Sequence, residues 1–175
     1  MSLRDGLRGA AAGAAATTAL TAATYLDMVV RGRPASTTPE ETVERLSRVT
    51  GVAVPGRGRA RQARVSGLGG LGGTAAGVVT GVVLGVLRGR GMRLGPVAGA
   101  AVAGAAAMLA GNGAMSGLGV SDPRTWSAED WAADLLPHLA YGVVAWAVLA
   151  GDPSTAATDP AHVAEGGPVA LRRPR

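Results

Sequence analysis

The chain has 175 residues, 47% of them hydrophobic and 17% charged, with a formal net charge of +5. It contains no cysteine, which excludes disulfides, iron–sulfur clusters and thiolate zinc sites, and every one of its basic residues is arginine. Three Trp and two Tyr accompany those arginines without a recognition motif around them, so nucleic acid is not an expected partner. Arginines that flank membrane spans account for the charge, with membrane lipid as the natural contact.

Four stretches are long enough to cross about 30 Å of hydrocarbon. The first, residues 9–30, is rich in Ala and Thr and is the weakest, because those side chains contribute little transfer energy. A secretory leader is its rival reading, since Arg4 and Arg8 make a basic start and Ala19-Leu20-Thr21 resembles a cleavage site. The apolar part is too long for that, and it runs on into Tyr25-Leu26-Asp27-Met28. Asp27 is followed by Arg31 one helical turn later, so an interfacial ion pair is expected, with a polar contact to the last span as the alternative.

After this span, Thr38-Pro39-Glu40-Glu41 reads as a helix start, with a hydroxyl at the N-cap and a carboxylate at N3. An amphipathic or interfacial helix is expected over residues 39–49, then a Gly/Arg-rich linker over 51–66. The second span, 68–87, carries a glycine row: Gly69, Gly73, Gly77, Gly81, Gly85 and, just beyond, Gly89. Each four-residue step turns about 400°, so the row winds slowly round the helix as a groove without side chains. In water each interior Gly costs roughly 1 kcal/mol against Ala. In a bilayer, small residues instead let helix backbones approach closely.

The third span, 94–118, continues the spacing with Gly95, Gly99, Ala103 and Ala107, so two smooth faces on consecutive antiparallel helices are expected to meet. Self-assembly through the same faces is the competing use. Asn112, between two glycines, marks either an unwound turn or one interhelical hydrogen bond, and the second is favoured. The fourth span, 131–149, follows a second helix start at Ser127-Ala128-Glu129-Asp130 and contains Pro137, an expected kink. Residues 151–175, with Pro, Gly, Thr and scattered charge, are expected to be disordered.

Two internal matches suggest a repeat. Ala12-Gly13-Ala14-Ala15-Ala16 recurs as Ala103-Gly104-Ala105-Ala106-Ala107, 91 residues on, and the Thr38 helix start recurs at Ser127, 89 residues on. The chain thus reads as two copies of span, capped helix, span. The loops after the first and third spans carry nine arginines and the other side eight, so total charge leaves the orientation open; Arg88, Arg90 and Arg93 in the very short second loop tip the expectation towards both termini in the cytoplasm.

The side chains that might carry chemistry lie on the last span. Trp131, Asp134, His138 and Tyr141 follow steps of three and four, so they share one helix face. An Asp134–His138 pair would fix the imidazole tautomer, and ionisable groups at membrane depth are expensive enough to suggest proton or ion traffic. Interfacial packing explains the same stripe, and two side chains on one helix are too few for a metal. Neither a Gly-x-Ser-x-Gly elbow nor a phosphate loop is present, because Gly67-Leu68-Gly69-Gly70-Leu71-Gly72-Gly73 lacks the Gly-Lys-Ser/Thr ending. No catalytic residue, metal or cofactor is expected.

The small-residue first span, the connecting helix and the acidic, aromatic lead into His138-Leu139-Ala140-Tyr141-Gly142 resemble the YagU-like group of small bacterial four-span membrane proteins. The resemblance covers most of residues 5–150 and implies an inner-membrane location without any activity. The expectation is an all-α integral membrane four-helix bundle in a bacterial cytoplasmic membrane. Its expected role is structural or accessory, packing on itself or a larger membrane complex, with conduction through Asp27, Asn112, Asp134, His138 and Tyr141 as the alternative.

Overall fold

The computed structural model describes residues 2–151, so the expectation of disorder past Gly151 lies outside the described residues. The regular structure among those residues is all helical, with no strand. Five α-helices follow one another: α1 (Leu3–Arg31), α2 (Thr38–Thr50), α3 (Gly58–Gly89), α4 (Pro96–Gly117) and α5 (Ala128–Ala150). A single 3-10 turn, Pro123–Thr125, leads into α5.

Three of these helices, α3, α4 and α5, are long and apolar enough to cross a membrane. α1 has the length, with 29 residues, but its Ala and Thr leave it short of the required apolarity. Its threonines soften that deficit: Thr17, Thr18 and Thr24 each donate their hydroxyl to the carbonyl one turn back, at 2.8 to 3.1 Å. Hydroxyls bonded in this way cost less in an apolar environment.

Two boundaries differ from the sequence reading. α2 begins at Thr38, the residue proposed as its cap, so the N-cap moves one residue earlier to Thr37, which makes no side-chain bond to the backbone there. Thr37 Oγ1 instead donates to Glu41 Oε1 at 2.6 Å, so the expected capping box at Thr38 does not form. The second start does form its box: Ser127 Oγ accepts from Asp130 N, and an Asp130 oxygen accepts from Ser127 N. The expected linker is also half helix, because α3 starts at Gly58, ten residues ahead of the proposed span. This extension is held by α2. Arg61 grips Glu44 in a two-pronged pair at 2.5 and 2.7 Å, Ser66 donates to Glu40, and Pro39 lies against Gly69.

The packing order is set by glycines. α1 runs antiparallel along α3, with Gly9 and Gly13 opposite Val78, Gly81 and Val82. A Cβ at Gly81 would stand 2.5 Å from Gly13 Cα, and one at Gly13 would stand 2.7 Å from the Gly77 carbonyl oxygen. Gly85 meets Gly9 and the Asp5 carbonyl in the same way. The glycine row of α3 thus faces α1, not α4 as the spacing suggested, because α1 supplies a matching glycine pair. Gly73 in the row has nothing within 4 Å, and neither has Gly95 on α4.

α4 turns its small residues to α5. A Cβ at Gly104 would meet the His138 carbonyl at 2.7 Å, one at Gly142 would meet Gly104 N at 2.7 Å, and Gly99 lies under the Trp146 ring. This seam repeats the α1–α3 seam residue for residue. Gly81 packs on the Gly9 carbonyl and Gly13; Gly142 packs on the Ala100 carbonyl and Gly104. The buried residues Ala12, Gly13 and Ala16 recur as buried Ala103, Gly104 and Ala107. Thr80, Gly81, Leu84 and Gly85 recur as Tyr141, Gly142, Ala145 and Trp146, all buried. α1 against α5 closes the bundle, and the core is Ala12, Ala16, Leu84, Ala103, Ala107, Tyr141, Ala145 and Leu149.

Candidate functional site

Asn112 and Asp134 meet between α4 and α5. α4 is unbroken through Asn112, whose amide Nδ2 donates to Asp134 Oδ2 at 2.8 Å, so the asparagine makes an interhelical bond and no unwound turn. One turn further along α5, His138 Nδ1 lies 2.7 Å from the Asp134 carbonyl oxygen and 3.5 Å from its carboxylate. A carbonyl oxygen can only accept, so Nδ1 carries the proton and, in a neutral ring, Nε2 carries the lone pair. The carboxylate is therefore held by an amide, and the imidazole by backbone, on the inner face of the α4–α5 pair. Both side chains are largely covered, with 20% and 15% of their surface exposed.

The other proposed polar residues stand apart from this trio. Tyr141 is fully buried and donates its hydroxyl across the bundle to the Gly77 carbonyl at 2.6 Å. Asp27 pairs with Arg31, at 2.6 and 2.8 Å, and with Arg33 beside it. That is the expected ion pair, and the link to the last span is made by Arg31, which reaches the Glu129 carbonyl at 3.5 Å. Trp131 leaves the stripe as well: its ring sits edge-on to Trp126, centroids 5.1 Å apart, and Trp126 donates to Ser121.

The contacts of three arginines escaped the sequence reading. Arg45 donates to the Leu118 carbonyl at the end of α4, and Arg8 donates to the Val148 carbonyl near the end of α5. A cation at a helix C-terminus meets the negative end of the dipole and otherwise unpaired carbonyls. Arg88 stacks over Trp146, 5.1 Å from its centroid. The sequence signal for Arg8 and Arg88 is only that each falls near a helix end, and Arg45, in the middle of α2, has none. Outside the spans, the Glu44 carboxyl is held below its ordinary value by the hydrogen bond from Arg61.

Among the described residues no group of three His, Cys, Asp or Glu side chains is placed to hold a metal ion. Comparison with protein-family models, with curated proteins and with solved structures found no match.

Proposed function

We propose that the chain is a four-span protein of a bacterial cytoplasmic membrane, with a structural or accessory role and no catalysis of its own. The observation that carries this is the pair of glycine seams. α1 lies along α3 from Asp5, beside Gly89, to Thr17, beside Gly77, so a membrane that contains α3 contains α1 too. Its weak apolarity is offset by burial of Gly9, Ala12, Gly13 and Ala16 against neighbouring helices. The residue-for-residue match between the α1–α3 and α4–α5 seams supports two copies of one unit, and with it the likeness to the YagU-like group.

Polar groups at membrane depth tie helices in this reading. Asn112 holds Asp134, His138 holds backbone, and Tyr141 joins α5 to α3. Exposed glycines such as Gly70 and Gly73, interleaved with exposed Leu68 and Leu71, leave a small-residue face for a second copy or a larger complex.

Cysteine accessibility tests the topology in this cysteine-free chain: Leu3→Cys and Ala35→Cys should react from opposite sides of sealed vesicles. Reaction of both from one side would remove α1 as a span. Native mass in nanodiscs, with copurifying chains identified, tests the role. A stoichiometric partner or a homo-oligomer supports it, and a strict monomer counts against it. Conduction is the second reading, favoured by the carboxylate and imidazole of the Asp134–His138 pair. Proton flux into liposomes that is abolished by His138→Ala and Asp134→Asn would put conduction first.

A further inference from the structure

The two ends of the bundle carry different charge. One end gathers the start of α1, the end of α3, the 90–95 loop, the start of α4 and the end of α5. They are joined by Asp5 against Gly89, Arg8 on the Val148 carbonyl and Arg88 over Trp146. Among the described residues this end holds Arg4, Arg8, Arg88, Arg90 and Arg93 against one carboxylate, Asp5. That carboxylate is already engaged by the Ser2 hydroxyl and backbone in the α1 capping box. The opposite end has more arginines, but carboxylates nearly match them and hold several in pairs, such as Asp27 with Arg31 and Arg33, and Glu44 with Arg61.

The surplus charge is also accessible. Arg4, Arg90 and Arg93 are exposed, and the guanidinium groups of Arg4 and Arg90 have no hydrogen-bond partner among the described residues. Leu3 and Leu7 flank Arg4 at 80% and 63% exposure, and Val97 on the first turn of α4 is 85% exposed. Apolar side chains bare to their surroundings, beside guanidinium forks, fit the boundary between acyl chains and phosphates. Water on one side alone would leave those apolar groups unexplained.

We propose that this end seats the headgroups of anionic phospholipids, with Arg4, Arg90 and Arg93 meeting their phosphodiesters, and that it therefore faces the anionic cytoplasmic leaflet. Guanidinium forks bind phosphate oxygens in pairs, and short arginine-bearing loops stay on the cytoplasmic side. This inference rests on the membrane reading above.

The test uses the full chain in nanodiscs of phosphatidylcholine containing a minority of phosphatidylglycerol, with retained lipid counted by native mass spectrometry. Arg4→Gln, Arg90→Gln and Arg93→Gln should each lower the preference for the anionic lipid about fivefold. Arg57→Gln, Arg59→Gln and Arg124→Gln at the opposite end should leave it within about twofold. Equal losses at both ends, or no loss at either, would overturn the site. Displacement of the lipid preference by millimolar glycerol phosphate would also overturn it, in favour of a soluble anion. Carbonate-resistant retention of the same variants in membranes is read alongside. Its failure would sink the membrane reading, whereas intact retention with an unchanged lipid preference would sink only this site.

Discussion

Replacing Gly81 by Ala puts a methyl group into a seam that has no side chain to move. Its Cβ would lie 2.5 Å from Gly13 Cα and 2.6 Å from Gly13 N, where ordinary contact begins at 3.4 Å. The obstacles are backbone atoms, so α1 and α3 must part by about 1 Å, and a gap of that size forfeits a quarter to a half of each dispersion contact beside it. Overpacking of this kind costs about 1–3 kcal/mol. Alanine also gains roughly 1 kcal/mol in helix propensity, which partly hides the loss. Gly73→Ala removes the ambiguity, since Gly73 has the same propensity term and nothing within 4 Å. The steric cost is then the difference between the two variants, about 2 kcal/mol with Gly81→Ala the less stable. Unfolding by SDS in mixed micelles, followed by far-UV circular dichroism, measures it. Equal stability of the two variants would refute the α1–α3 seam. Gly142→Ala, whose Cβ meets Gly104 N at 2.7 Å, should show a similar loss if the second seam copies the first.

Other outcomes follow from the polar ties and the surface pair. Tyr141→Phe should destabilise the bundle by about 0.6–1.7 kcal/mol through loss of the bond to Gly77, with helix content unchanged in the same SDS assay. A double-mutant cycle on Asn112→Ala and Asp134→Ala should return a coupling of about 0.6 kcal/mol or more, and zero coupling would deny the interhelical bond. Acid should loosen α2 from α3. The Glu44 carboxyl titrates below its ordinary 4.5 when paired with Arg61, so its stabilisation is complete above that value and is lost as pH falls through the lowered one. Amide protection over residues 38–50, corrected for the intrinsic pH dependence of exchange, should therefore fall as the pH drops below 4.5 in the native chain, and Glu44→Gln should reduce that pH dependence.

Helix positions were largely legible because apolar blocks and punctuation agree. Gly95 and Pro96 open α4, and Ser127 with Asp130 opens α5. The start of α3 was not legible. Gly56 and Gly58 mark a break, and only the α2 carboxylates, brought in by tertiary structure, hold the arginine-rich turns that follow as helix. The glycine row announced a face but not its neighbour. Spacing says where a groove lies on one helix, while the partner depends on which other helix carries a complementary pair, here Gly9 and Gly13. The Ala-Gly-Ala repeat did hold the answer, since its two copies sit at equivalent places in the two seams. On α5, Asp134 and Tyr141 stand only about 20° apart round the helix but about 10 Å apart along it, far enough to meet different neighbours. Asp134 therefore turns to α4 while Tyr141 reaches α3, and one predicted site becomes two separate ties.

On the four-span proposal, the weakest span is made before its partner. Gly9 and Gly13 leave the ribosome well before Gly77, Gly81 and Gly85, and at about 5–20 residues per second the interval lasts several seconds. Throughout it α1 is a lone Ala/Thr helix whose groove has no complement, held near the bilayer by little transfer energy. On that proposal its crossing is settled when α3 arrives and the two close as a hairpin. On the four-span proposal the first half of this chain inserts as a pair, and an insertase that shelters a marginal helix for those seconds is the cellular component on which its yield should most depend.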